Sequence, residues 1–239
     1  MKHIVLFSGG AASSYTAWLV SKQYDKKDII LLHTPTYSEH RDADKFRKEV
    51  AEYIGIPITE QADGRDIWQL IDDEKHIPGQ FMPFCTRILK IEQTKKFLKN
   101  IKDDYIQYIG YSAHEYKRVQ NTYARNIVKG LTVKFPIFEF GISDEEIKNI
   151  IQNDWKIKLP ETYKYLKHNN CIPCFKAGKK EWKNFWLYYP DKFFKAAEKE
   201  IQCGHTVFKN CTLYELADIF KHNKSFDDSQ ISMPCMCSI

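Results

Sequence analysis

The sequence predicts an α/β protein: a parallel sheet with helices on both faces, continued by a cysteine-bearing helical C-terminal segment. Three observations carry that expectation. Short apolar runs alternate with helical patterns through about residue 150, as strands joined by crossover helices require. The first of these runs breaks at Ser8-Gly9-Gly10, directly before a helical pattern. Beyond about residue 155 the strand pattern stops, and cysteine pairs, Trp, Tyr and Lys take over. Two domains are therefore expected, a sheet domain over 1–155 and a helical subdomain over 156–239.

Lys2–Phe7 reads as a buried strand and Ala11–Lys22 as the helix after it, with Tyr15, Trp18, Leu19 and Lys22 at helical spacing. Asp28–His33 reads as a second strand. A polar loop follows, then a helix over Ala43–Ile54 that Gly55 and Pro57 stop. Pro57–Glu60 suits a third, short strand, and Asp66–Asp73 a helix. Arg87–Lys99 has a strong amphipathic helix pattern, and Tyr105–Tyr111 and Thr132–Phe138 read as further strands. Ser143 precedes Glu146 at capping-box spacing, just before Ile147, Ile150 and Ile151.

The chain has 239 residues, of which 43% are hydrophobic and 28% charged, enough for a substantial core. A net charge of +5 favours anionic ligands such as nucleotides without demanding nucleic acid. No apolar run approaches the ~20 residues of a membrane span, and Ile4–Phe7 is too short for a secretory signal. The expectation is a cytoplasmic protein with no membrane partner. In that compartment, seven cysteines point to metal or redox chemistry rather than to a disulfide framework.

The glycine turn has a physical purpose. Glycine permits left-handed backbone and close approach, and a helix start offers unpaired N–H groups and a positive dipole end. Hydroxyls of Ser8, Ser13 and Ser14 add further donors. Together with Gly9 and Gly10 they make an anion cradle suited to phosphate or pyrophosphate. The spacing matches neither the dinucleotide-binding nor the Walker glycine pattern. Arg87 and Lys90 lie one turn apart after a cysteine at a helix start, and Lys117 and Arg118 follow the carboxyl end of the fourth strand. All four are candidates for phosphate contact.

The cysteines fall in three places: Phe84-Cys85-Thr86-Arg87, Cys171-x-x-Cys174, and Cys235-x-Cys237 in the tail. A Cys-x-x-Cys pair brings two thiolates to one ion, and zinc and iron–sulfur centres both use that spacing. Cys203 and Cys211 read as ordinary small residues. Over 176–199, lysines interleave with rings. That pattern reads as an aromatic core stripe with a lysine outer face, Lys176, Lys179 and Lys180 being the functional candidates; it also suits single-stranded nucleic acid.

In order, the landmarks resemble those of the phosphoadenosine phosphosulfate (PAPS) reductase family, within the PP-loop adenine-nucleotide α-hydrolase superfamily, and in particular its small phage-encoded members. The superfamily's loop pattern is S-G-G-x-D-S; Ser8, Gly9, Gly10 and Ser13 match it, and Ala12 replaces its aspartate. The segment Phe84–Lys90, the strand end Gly110–Glu115, the Asn170-Cys171-x-x-Cys174-x-Lys176 motif and the tail cysteines follow in the family's order, over nearly the whole chain. Ser112 and His114 depart from the family's arginine and acid. The resemblance implies an adenine nucleotide, ATP or PAPS, with magnesium as its companion ion, and places Thr34 and Glu39 near the adenine and ribose. Iron–sulfur members of the wider family use a Cys-Cys pair where this chain has Phe84-Cys85, so the cluster implied is a 4Fe–4S centre held by Cys85, Cys171 and Cys174 with Cys235 or Cys237 as fourth ligand. Zinc held by the two close pairs, Cys171/Cys174 and Cys235/Cys237, is the alternative, to which His168 would contribute. It further implies a PAPS reductase-like oxidoreductase, with a tail thiolate such as Cys237 as nucleophile, or an ATP-dependent sulfurtransferase. In both, Arg87 and Lys90 would stabilise phosphate charge. A nucleic-acid or small-molecule sulfur acceptor and a homodimer are the further partners expected. The competing reading is a non-catalytic nucleotide- or nucleic-acid-binding module with a structural metal.

Overall fold

The computed structural model describes residues 1–222 and Lys224. In chain order its main elements are β1 (Lys2–Leu6), α1 (Ala11–Gln23), β2 (Ile29–His33), α2 (Arg41–Ile54), β3 (Ile58–Glu60) and α3 (Ile67–Glu74). Next come α4 (Phe84–Thr86), a π turn (Arg87–Ile91), α5 (Glu92–Lys99), β4 (Tyr105–Tyr108), α6 (Tyr116–Val128) and β5 (Thr132–Lys134). The chain continues through α7 (Pro136–Phe140), α8 (Asp144–Asn149), α9 (Lys179–Tyr188), α10 (Pro190–Cys203) and α11 (Leu213–Lys221).

The five strands form one all-parallel sheet in the order β3-β2-β1-β4-β5. Alternation along β1 divides the core between two faces. Val5 and Phe7 pack with α1, α2 and α8 through Tyr15, Phe46, Val50 and Ile147. Ile4 and Leu6 pack on the other face with Leu98 of α5 and with Tyr111 and Phe135. The expected α/β architecture with helices on both faces is therefore present. None of the described helices is long and apolar enough to cross a membrane.

A third cluster builds the helical layer around Trp182, Phe185, Phe193, Leu213 and Leu216. It also draws in Ile67–Ile71 and Phe84–Leu89 from the earlier part of the chain. Trp182 and Phe193 are fully buried and Phe185 nearly so, so these rings of the 176–199 run are core.

Several boundaries differ from the sequence expectation. The strand expected over Thr132–Phe138 stops at Lys134, because Pro136 occupies the first turn of α7, where its fixed φ and missing N–H suit a helix start. β4 ends at Tyr108 rather than Tyr111 because the chain turns at Gly110 against the first turn of α1; a Cβ there would stand 2.8 Å from Ala12 and Ser13 backbone. The helix expected from Arg87 begins at Phe84 and passes through the π turn. At Ser143 the hydroxyl caps the Glu146 amide as expected.

Candidate functional site

β1 connects outward to β2 on one side, while β4 lies on its other side, so their carboxyl ends frame a switch point, the usual ligand crevice of such sheets. A cleft of about 130 Å³ opens there. One wall is the loop, with Ser8, Gly10, Ala12 and Ser13, and the opposite wall is Gly110, Tyr111, Ser112 and Arg118. The rim brings Lys148, Lys167 and His168.

The loop is shaped by a local close approach. Gly9 has φ +83°, and a Cβ there would fall 2.5 Å from Cγ of the buried Arg47. Its carbonyl accepts from Asn169 Nδ2 at 2.8 Å, and Thr162 Oγ1 donates to Asn169 Oδ1 at 2.9 Å, which ties the loop to the segment before the cysteine pair. The first turn of α1 has amides without intrahelical acceptors. One of them, Ala11 N–H, donates to the Tyr163 hydroxyl at 2.9 Å. Burial pushes Tyr163 up to about 12, so the phenol keeps its proton and remains a donor toward the cleft. Ser8 donates to Ser13 at 3.2 Å, and Ser13 also donates to Gly10 O at 2.9 Å.

Arg118 is paired with Glu115 and lies 4.2 Å from the Tyr111 ring centroid. Burial raises the Glu115 carboxyl, but Arg118 and the Ser112 amide and hydroxyl outweigh it and hold it below the usual range. Asp144 places a carboxylate in the cleft lining.

A smaller cavity, about 20 Å³, adjoins at the end of β2 and is lined by Ser8, His33, Thr34, Glu39 and Lys90. Burial, with Arg47 next, pushes the His33 imidazole down to about 4. The neutral ring donates Nδ1–H to Phe7 O at 3.0 Å, leaving buried Nε2 as an acceptor with no protein partner. Burial raises Glu39, but Lys90, the Thr36 hydroxyl and His33 bring it below its ordinary value.

Lys90 also lines a third cavity, about 30 Å³, together with Cys85, Cys171, Cys174 and Lys176. Thr36 Oγ1 and Cys171 Sγ are 3.1 Å apart, and Cys171 pairs with Glu39 in an antiparallel bridge. Three sulfur donors beside two cations suit a soft, thiolate-held metal centre. Among the described residues, however, no group of three or more His, Cys, Asp or Glu side chains is arranged to hold a metal ion.

The residues named from sequence thus separate. Ser8, Gly10, Ser13 and Arg118 line the cleft, and Thr34 and Lys90 line the cavity at β2. Gly9 shapes the loop, and Ser14 is fully buried inside α1. Arg87 lines none of these cavities; its guanidinium pairs with Glu92 at 2.8 Å and is more than half exposed. A π turn rotates successive residues by less than the ~100° of an α-helix, so Arg87 and Lys90 no longer share a face. Lys117 is exposed and also outside the cavities. His168 sits at the cleft rather than with the thiols. Cys203 and Cys211 pack against the helical core, where burial pushes both thiols up. Cys235 and Cys237 lie outside the described residues. Sequence reasoning missed Lys148, Tyr163, Lys167 and Asn169, which reach the cleft from scattered positions; only Asn169, two residues before Cys171, stood beside a motif.

This is a switch-point crevice on a doubly wound sheet, with a thiol cavity one lysine away. The phosphoadenosine phosphosulfate reductase domain model matches residues 2–153, and the chain belongs to that family. Two proteins of Methanocaldococcus jannaschii are similar: MJ0066 is 28% identical over 214 residues and MJ0973 is 26% identical over 196. The matches cover 82% and 79% of this chain but only 42% and 45% of those proteins, so it spans less than half their length. The nin region protein ORF290 of Escherichia phage lambda is 26% identical over 210 residues, covering 74% of this chain and 67% of the phage protein.

Proposed function

We propose that this protein is an enzyme that binds an adenine nucleotide, ATP or PAPS, and couples it to sulfur chemistry. The supporting observation is the switch-point cleft, where a helix N-terminus, Lys148, Lys167 and the Tyr163 hydroxyl converge on one cavity. The loop amides, Ser8 and Ser13 hold phosphate oxygens, while the lysines offset their charge. Tyr163 directs its O–H at a phosphate oxygen. Thr34, His33 and Glu39 take the nucleoside end, His33 Nε2 accepting from a ligand donor. Asp144, which lines the cleft, would offer a carboxylate oxygen to a magnesium ion bound with the phosphates, and that ion would offset phosphate charge.

Cys85, Cys171 and Cys174, with Cys235 or Cys237, would hold an iron–sulfur centre, or zinc in its place. Bound there, an iron–sulfur centre supplies a redox-active or sulfur-anchoring group beside Lys90. Lys90, lining both smaller cavities, balances thiolate and nucleotide charge. Two reactions fit these parts. In the first, an acceptor oxygen attacks the α-phosphorus of ATP, the bond to the bridging oxygen breaks, and pyrophosphate leaves an adenylated acceptor. Alternatively, a tail thiolate such as Cys237 attacks the sulfur of PAPS, expels the nucleotide, and yields sulfite after reduction by a second thiol.

Anaerobically purified protein incubated with each nucleotide separates the two. Pyrophosphate from ATP supports activation, and sulfite from PAPS with a thiol reductant supports reduction. Binding of both nucleotides with neither product, in the presence of tRNA, DNA and small-molecule thiols as acceptors, would refute the enzyme and leave the non-catalytic module.

A further inference from the structure

The strongest unassigned surface lies at the opposite end of the sheet from the cleft. There the end of α5, the start of β4 and the end of α6 enclose an open groove of about 370 Å³. Lys95, Lys99 and Lys129 line it, over a floor of Leu98, Tyr105 and Leu131, and no acidic residue does. Lys95 and Lys99 are one turn apart on α5 and both are exposed. Among the described residues none of these three lysines is in an ion pair.

α6 continues the same character toward the cleft. From Tyr116 to Val128 it contains Lys117, Arg118 and Arg125 and no Asp or Glu. Thr122 and Asn126 are buried and Val119 packs against the core, while Tyr116, Tyr123, Ile127 and Val128 face outward. Tyr116 is 61% exposed and Tyr123 51%. They lie seven residues apart, two turns along one stripe. With 13 residues the helix is roughly 20 Å long. Its first turn carries Arg118, which lines the nucleotide cleft, and Lys129 at its far end lines the groove.

We propose that the groove and α6 form a track for single-stranded nucleic acid. Charge complementarity selects the partner: the groove lysines, with Lys117 and Arg125 of α6, attract a phosphodiester backbone, and exposed tyrosines supply stacking platforms for unpaired bases. A strand laid along α6 would lead from the lysine groove to the mouth of the cleft. The assignment does not depend on the nucleotide reading, because none of the groove residues lines the cleft.

The test is fluorescence anisotropy of the full chain with labelled oligomers of roughly 16 nucleotides, oligo-dT and oligo-U, at several salt concentrations. Binding is expected at about 50 mM salt, with affinity falling steeply as salt rises. The triple variant K95Q/K99Q/K129Q is expected to bind at least tenfold more weakly, with the log–log salt slope smaller by about 2. The variant Y116A/Y123A is expected to lose at least about fivefold in affinity with the salt slope unchanged. A preference for either oligomer identifies RNA or DNA as the strand. Thermal shift by ATP should be the same in the triple variant as in the parent, which separates this surface from the cleft. Failure of the parent chain to bind either oligomer would overturn the track, as would a triple variant that binds like the parent. Light scattering that shows α6 substitutions dissociating a dimer, with oligomer binding intact, would also overturn it.

Discussion

Gly9 combines a φ of +83° with a space that the Arg47 side chain already fills. An L side chain there meets both a left-handed backbone penalty and a clash. Gly9→Ala is therefore expected to cost at least about 2 kcal/mol in a urea titration, and a cost under half of that would show that the loop yields freely. Tyr163→Phe removes the acceptor of the Ala11 amide and should cost about 1 kcal/mol while weakening phosphate binding. His33 supplies a pH signature. Its folded imidazole titrates at about 4, whereas an unfolded histidine titrates near 6.5. Between those values the unfolded chain takes up a proton that the folded chain refuses. The stability linked to neutral His33 is thus complete above about pH 6.5 and is lost as pH falls toward 4, by about 2–3 kcal/mol. Denaturation measured from pH 7 to 4.5 should fall more steeply for the parent than for His33→Gln. Equal slopes would mean that His33 charges freely in the folded state.

At the scale of elements, periodicity made most of the fold legible. β1 and β2 are apolar runs because both of their faces are covered, and α2 shows its stripe because one side meets the sheet. Elements that depend on a neighbour were less visible. Whether Tyr105–Tyr111 continues as strand is decided by the approach of Gly110 to α1, which no local pattern announces. The π turn at Arg87 left the sequence pattern helical yet moved Arg87 away from Lys90. The loop and cysteine motifs were visible because backbone geometry and thiolate chemistry demand particular residue types. Lys148, Tyr163 and Lys167 were hidden because only tertiary packing brings them to the loop. Packing also joins α3 and Phe84–Leu89 to the C-terminal helices around Trp182. Hydrogen exchange is expected to show 67–74 and 84–89 opening together with α9–α11. Trp182→Ala, expected to cost about 3–5 kcal/mol, should lower protection in all of them. If 67–89 instead exchanged with the sheet, the helical layer would not be a cooperative unit.

At the scale of the molecule, the sheet order gathers chemistry at one end. Three cavities meet there: Ser8 is shared by the cleft and the β2 cavity, and Lys90 by the β2 cavity and the thiols. A nucleotide running from the loop toward β2 would bring its middle close to the cysteines without any large movement of the sheet. The lysine groove lies at the other end, joined to the cleft by α6. Isothermal titration calorimetry of ATP against the parent chain and Lys148→Ala/Lys167→Ala tests this arrangement most directly. The account predicts saturable binding by the parent and at least tenfold weaker binding by the double variant, with folding unchanged. Absence of binding at millimolar ATP and, in a parallel titration, at millimolar PAPS, or equal affinities of the two proteins for the nucleotide that binds, would contradict it.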